Sequence, residues 1–467
     1  MTDETVRGLC LDCLLEILEK DRHSHVVLKN VLESHRDLVK RDRAFLTCLT
    51  EGTIEHLYEL DYIIDCFSKT KTEKQKPVIR ELLRMSVYQM KYMDTVPDRA
   101  AVNEAVRLAG KRGFASLKGF VNGVLRTIAR ELDRVSYPKR EDGFSKWARV
   151  KYSMPIWITE ELLGEYGEER TLQFLSQGLS GRPFTVRCNQ SRAAEEAIVK
   201  SLTEQGLDVK TVPDVPGVLM LERFDRPEEI RAFQEGLLQV QDVSSVLAGL
   251  AAGIKPGDFV VETCAAPGGK SLHAADLLRG KGHVEARDLT MAKIALIKEN
   301  IERSRFENIS ARVWDARLPD REMFGRADVV LADLPCSGLG IIGRKSDIKY
   351  KMTKEKQREL STLQKEILDA SWQYVKPGGR LVFSTCTVFP SENRENALWF
   401  AANYPFTTVD LREELPKRFF GKEEENKDGW LQLLPGEKGT DGFFIAAFRR
   451  NDEEDKNRKE SEGSGTE

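Results

Sequence analysis

From about residue 240 onward the sequence alternates short β-rich runs with longer amphipathic ones, and this alternation constrains the fold more than any other feature. DFVVET, HVEARD, ISARVWDA, ADVVLADLP and GRLVFSTCT are separated by SLHAADLL, TMAKIALIKENIERS and KEKQRELSTLQKEILDASWQYV. Parallel strands need a crossover of a dozen or more residues, so strand–helix repetition predicts a mainly parallel sheet with helices on both faces. Ligands of such sheets bind outside the carboxyl ends of the strands, and the residues that follow each run become the candidates for function.

The text before this region is different. Residues 1–137 read as helical, because Val6, Leu9, Cys10, Cys13, Leu14, Ile17 and Leu18 recur at spacings of three and four, as do apolar positions in Ala44–Tyr58 and Val78–Met93. Residues 138–240 read as a linker helix and a small α/β insert, with PFTVRCN and GVLML as strands and SRAAEEAIVKSLTEQG as a helix. Residues 241–450 hold the parallel-sheet domain, and 451–467, NDEEDKNRKESEGSGTE, form an acidic tail with nothing apolar to bury and disorder expected. Cys10 and Cys13 share the apolar face and have no second Cys/His pair at zinc-finger spacing, which predicts buried thiols and no metal site.

The charge is uneven. The net value of −3 combines 27 basic and 23 acidic residues in 1–150 with 45 and 52 in the rest. Lys69–Arg140 alone carries 17 Lys/Arg against 7 Asp/Glu, a surplus suited to a polyanion or simply to a solvated helical surface. No run reaches the roughly 18 apolar residues of a membrane span, the first residues are acidic, and the eight cysteines are widely spread. A cytoplasmic protein with reduced thiols and no membrane partner is expected. No long heptad seam is present, which removes coiled-coil assembly only; the oligomeric state stays open at this level, with a monomer favoured.

At the strand ends, the first run passes into Cys264-Ala265-Ala266-Pro267-Gly268-Gly269-Lys270, a loop of small residues opening a helix. A phosphate-binding P-loop would need glycine where Cys264 stands, and no G-x-G-x-x-G is present. Asp288 and Asp315 end the second and third runs, each placed to accept from a nucleoside hydroxyl or simply to cap a helix. Together with the loop they suit a nucleoside ligand without phosphates, such as S-adenosylmethionine.

The fourth run ends in Asp333-Leu334-Pro335-Cys336 and the next in Ser384-Thr385-Cys386, so adjacent parallel strands would bring two thiols and a carboxyl to one crevice. This set suits methyl transfer to carbon 5 of cytosine. A thiolate adding to carbon 6 activates carbon 5, an acid at ring nitrogen 3 stabilises the developing charge, and a second thiol assists release.

CAAPGGKS, DLPCSGLG, RKSDIKY, STCT and DGFFIAAFRR resemble the motif series of the NOL1/NOP2/Sun family of RNA cytosine-C5 methyltransferases. AVNEAVRLAGKRG followed by FVNGVLR resembles the NusB-like RNA-binding domain, and the pairing is similar to bacterial enzymes that methylate 16S ribosomal RNA. The resemblance implies an all-α NusB-like domain, a small RRM-like α/β insert and a Rossmann-like, S-adenosylmethionine-dependent methyltransferase domain. It implies Cys386 as nucleophile, Cys336 as the release thiol, Cys264–Lys270 with Asp288, Asp315 and Asp333 as the cofactor site, and 16S rRNA, naked or partly assembled, as partner. Leu334 departs from the family's usual Ala and Ser346 from its common Pro, and the insert lacks a pair of stacking aromatics. The same chemistry on tRNA or another rRNA cytosine, and a non-catalytic RNA-binding factor, stay open at this level.

Overall fold

The structure is a computed structural model that describes residues 5–178, 183–222, 224, 226–420 and 429–452. Apart from Asn451 and Asp452, the acidic tail lies outside the described residues. Two compact units are formed, one from Met1–Gly181 with Ile342–Met352, the other from Arg182–Ile341 with Thr353–Glu467.

The first unit is helical. Thr5 caps Val6–Leu18 by accepting from Gly8 N at 3.3 Å, and Pro77 opens Pro77–Tyr92 at a position whose N–H would have no intrahelical partner. These helices, with Lys40–Glu55, Leu57–Phe67, Asp98–Lys111 and Lys118–Glu131, bury Cys10, Leu14, Ile17, Leu46, Leu60, Leu82 and Leu125 in one core. Cys10 and Cys13 are fully buried, Thr50 Oγ1 donates to Cys10 Sγ at 3.3 Å, and burial pushes the Cys13 thiol up to about 12. Both act as small apolar side chains, as their spacing predicts.

Segment Ile342–Met352 was grouped with the methyltransferase-like text on sequence, yet it packs in this helical unit. Asp347 accepts from Ser24 N at 3.1 Å and from Ser24 Oγ at 2.5 Å. Lys349 Nζ donates to the carbonyls of Glu55 at 3.0 Å and Tyr152 at 3.3 Å, and Tyr350 donates to the same Glu55 carbonyl. Burial pushes Lys349 down to about 7 against the opposing pull of Glu55. The helical segment Ile156–Gly178, broken at Gly167 (φ 69°), falls within this unit by its contacts.

The second unit holds two sheets. β1 (Phe184–Cys188), β2 (Asp208–Thr211), β3 (Val218–Glu222) and β4 (Leu238–Val240) form an antiparallel sheet of order β2-β3-β1-β4, with helices Glu195–Glu204 and Arg231–Gln234 completing a βαββαβ unit. β5 (Phe259–Glu262), β6 (His283–Asp288), β7 (Ile309–Val313), β8 (Ala327–Asp333) and β9 (Val375–Thr385) are parallel. β10 (Phe406–Thr408), β11 (Trp430–Leu433) and β12 (Phe443–Arg450) extend them to the order β10-β12-β9-β8-β5-β6-β7, with β11 also on β12. β12 runs antiparallel to β9 and buries Phe443 through Phe448, which explains the continuous apolar text of FFIAAF.

The chain leaves β5 toward β6 and β7, then returns to lay β8 on the other side of β5. That reversal is where a doubly wound sheet opens a crevice at its carboxyl edge. The smaller sheet is tied to helix Gly269–Leu277 by a buried ion pair, Arg187 Nη1 of β1 to Asp276 Oδ2 at 2.8 Å, with side chains 3% and 6% exposed.

Candidate active site

Every residue singled out at a strand end lies along the carboxyl edge of the parallel strands. Cys336 follows β8 by three residues and Cys386 follows β9 directly, and their Sγ atoms stand 3.4 Å apart. The neighbouring thiol and burial push Cys336 well above the ordinary thiol range, so it stays protonated at neutral pH and is placed to donate to Cys386 Sγ.

Lys270 Nζ sits 2.6 Å from Asp333 Oδ2, and Ser384 Oγ donates to Asp333 Oδ1 at 2.7 Å. Burial alone would depress Lys270, but Asp333 and Glu262 outweigh it and raise its pKa, which keeps an ammonium beside the thiols. Lys270 Nζ also lies 5.3 Å from the centroid of the Phe443 ring. Together these groups offer a thiol pair, a cation and a carboxylate in one crevice. That set can add sulfur to an electron-poor ring and hold a polar edge of it.

The loop from Cys264 to Lys270 turns through a cis Ala266–Pro267 peptide and a left-handed Gly268 (φ 107°) into helix Gly269–Leu277. Asp288, almost fully buried at the end of β6, accepts from Ala266 N at 2.9 Å and Leu289 N at 2.7 Å and pairs with Lys293 at 2.9 Å. A carboxylate has about four acceptor sites, so Asp288 retains capacity for a hydroxyl. Burial pushes the Cys264 thiol up to about 12. Thr263 Oγ1 is buried, with no hydrogen-bond partner among the described residues, where β5 enters the loop. An unsatisfied hydroxyl, an open turn and an acid on the next strand fit a nucleoside-bearing cofactor. Asp315 lies beyond β7, and its carboxylate is engaged by Arg317 at 2.6 Å near the surface.

Several supporting residues were not foreseen. Glu262 is fully buried, accepts from Ser271 Oγ, and is pushed up to about 8 by burial. Glu392 is buried as well; Ser337 N donates to its Oε2 at 2.7 Å while its Oε1 has no partner among the described residues, and burial pushes it up to about 7. Asn393 accepts from Thr385 Oγ1 at 2.5 Å and donates to the Thr387 carbonyl at 3.0 Å, holding both sides of Cys386. Gly340 donates to the Cys386 carbonyl at 3.0 Å, and a Cβ there would lie 2.0 Å from the Gly442 carbonyl oxygen. In the sequence Glu392 and Asn393 look like polar surface residues, and only the glycine of DLPCSGLG carried a signal.

The basic surplus of the helical unit is partly neutralised within it. Arg84 pairs with Asp61 at 2.7 Å, Lys91 with Glu59 at 2.7 Å, Arg107 with Glu104 at 2.6 Å, Arg112 with Asp12 at 2.7 Å, and Arg80 with Glu19. Lys118, Arg126 and Arg130 remain exposed along one helix.

Comparison with known proteins matches three successive parts of the chain, the second of which takes in the helical segment Ile156–Gly178. Residues 250–449 match the family described as 16S rRNA methyltransferase RsmB/F, residues 4–130 the NusB family, and residues 154–226 the ferredoxin-like domain of RsmF/B-like methyltransferases. The chain is 37% identical over 462 residues to the probable ribosomal RNA small subunit methyltransferase B of Bacillus subtilis, covering 96% of this chain and 100% of that protein. The solved structure of PH0851 superposes with a TM-score of 0.80 at 25% identity over 95% of this chain and 99% of its own. The structure of NSun6 from Pyrococcus horikoshii with SFG superposes with a TM-score of 0.55 at 20% identity over 63% and 98%. No helix among the described residues is long and apolar enough to cross a membrane. With helical, ferredoxin-like and doubly wound parts each matched in order, the chain belongs to the ribosomal RNA small subunit methyltransferase B family.

Proposed function

We propose that this methyltransferase modifies carbon 5 of a cytosine in 16S rRNA through a transient bond between Cys386 Sγ and carbon 6 of the base. The observation that carries the reading is the 3.4 Å approach of two thiols beside the Lys270–Asp333 pair. S-adenosylmethionine, when bound, supplies an electrophilic methyl group. Residues 264–270, Thr263 and Asp288 would hold it, with Asp315 at the outer edge and Asp333 between it and the base.

The chain's own groups do the rest. The Cys386 thiolate adds to carbon 6, which makes carbon 5 nucleophilic and places negative charge on the ring. Lys270 and Asp333 form a polar pair that stabilises this charge and holds the base's polar edge. Once carbon 5 is methylated its proton leaves to water, the carbon–sulfur bond breaks, and Cys386 departs as thiolate. Cys336, protonated and 3.4 Å away, donates to that departing sulfur. The target must be turned out of its stack to reach the thiols. A place of action on ribosomal precursors in the cytoplasm goes with this reading.

The experiment is a pair of variants assayed with 16S rRNA lacking the modification. Cys386→Ser is expected to lose turnover, and Cys336→Ser to accumulate a covalent protein–RNA adduct that migrates slowly on denaturing gels. Full activity of Cys386→Ser, or a Cys336→Ser enzyme that turns over without any adduct, overturns the assignment.

A further inference from the structure

A second groove lies within the methyltransferase unit at the opposite edge of the sheet. It has a volume of about 870 Å³ and is open to solvent. One wall is the loop after β1, with Arg192; the others are the turn before β6, with Arg279, then His283, the first residue of β6, and the turn before β7, with Arg305 and Glu307. β6 has six residues, so the groove and the carboxyl-edge crevice are separated by roughly 20 Å of strand.

All three arginines are exposed, and among the described residues none has a carboxylate within ion-pair distance. Arg192 Nη1 donates only to the Arg305 carbonyl, at 3.2 Å. Glu307 is the one acid against three guanidinium groups, in a chain whose net charge is −3. Such a concentration of positive charge in a concave site attracts a phosphate backbone.

The backbone gives a second, independent observation. Arg279 and Arg305 each follow a helix, Gly269–Leu277 and Met291–Ser304, in the left-handed conformation at φ 49° and 54°. Glycine is the residue that fills this position without steric cost. Two separate helix ends therefore carry arginine where glycine would suit the backbone better, and both arginines face the same groove. A cation near a helix C-terminus also complements the helix dipole. That role does not require two helices and the insert to direct their arginines into one cavity.

We infer that this groove binds the phosphate backbone of the rRNA substrate at a segment remote from the modified cytosine. The inference rests on the rRNA reading above and extends it, making the enzyme one that grips its substrate at two edges of one sheet. Arg192, Arg279 and Arg305 supply sequence-independent affinity, and the carboxyl-edge crevice supplies the chemistry.

The test compares the wild type with Arg192→Ala/Arg279→Gly/Arg305→Gly, using full-length 16S rRNA and a short stem-loop containing the target. Glycine at 279 and 305 relieves the backbone while removing the charge, so the thermal midpoint should hold or rise. Affinity for the full-length RNA is expected to fall tenfold or more. The slope of log affinity against log salt should shrink by up to about three, near one per lost phosphate contact. Stem-loop turnover should stay within twofold. A variant that binds full-length rRNA with unchanged affinity and salt slope overturns the inference, as does one whose loss tracks a lowered thermal midpoint, which would mark the arginines as structural. Because binding is measured apart from turnover, failure of the cytosine chemistry would be seen separately.

Discussion

Asp276 is the residue whose removal should most clearly loosen the hold of helix Gly269–Leu277 on the smaller sheet. Its carboxylate accepts from Arg187 Nη1 at 2.8 Å, Gln190 N at 3.0 Å, Ser191 N at 2.8 Å and Ser191 Oγ at 2.6 Å. Arg187, 3% exposed, is otherwise bonded among the described residues to neutral acceptors, Gln241 Oε1 at 3.0 Å, the Cys188 carbonyl at 3.2 Å and Asn189 Oδ1 at 2.7 Å. Asp276→Ala thus strands a buried guanidinium, at a cost of about 3–5 kcal/mol. Arg187→Met leaves Asp276 with three donors and fills a similar volume, so about 1–3 kcal/mol is expected. In the double variant no charge is left stranded, and its cost should fall short of the sum by about 2 kcal/mol. For a unit of this size the single Asp276 change corresponds to roughly a 10 °C drop in Tm. Differential scanning calorimetry of the three variants provides the readout. The reasoning fails if Arg187→Met costs as much as Asp276→Ala, or if the two costs simply add.

Three further outcomes follow from groups around the thiols. Glu392, raised to about 7 by burial, keeps its proton in the folded state after the unfolded chain has lost its own near 4.5, so stability falls as pH climbs between those values, by about 1.4 kcal/mol per unit. Glu392→Gln should flatten that part of the pH–stability curve and be the more stable form at pH 8 by thermal denaturation. Gly340→Ala should cost about 1–3 kcal/mol through the clash with the Gly442 carbonyl and lower turnover by displacing the Cys336 loop, as calorimetry and methylation assays would report. Lys270→Met leaves the Asp333 carboxylate without the ammonium 2.6 Å away, and stability should drop by about 3 kcal/mol, as thermal denaturation would report.

The strand–helix alternation was legible because its period is local. β5 through β9 emerged at the runs that spelled them, and with them the convergence of Cys336, Cys386, Asp333 and Lys270 on one edge. β2 and β4 were not seen, since Asp208–Thr211 and Leu238–Val240 are too short to show a period of two and owe their form to pairing with β3 and β1. Glu392 and Glu262 eluded the sequence for another reason. A carboxylate reads as surface, and its burial is decided by distant partners such as the Ser337 amide. Asp315 carried a signal as strong as that of Asp288, yet it ends on Arg317 near the surface, a pairing that the strand-end position did not reveal.

The return of Ile342–Met352 to the helical unit bears on how the protein is made. Ribosomes deliver the amino end first, and a self-contained leading domain folds as it emerges. Here the cradle for Lys349, built from the Glu55 and Tyr152 carbonyls, waits for nearly two hundred further residues of nascent chain before its occupant arrives. The part synthesised earliest is thereby among the last to be completed, and a gene fragment ending at the first apparent boundary would encode a bundle short of one of its own pieces.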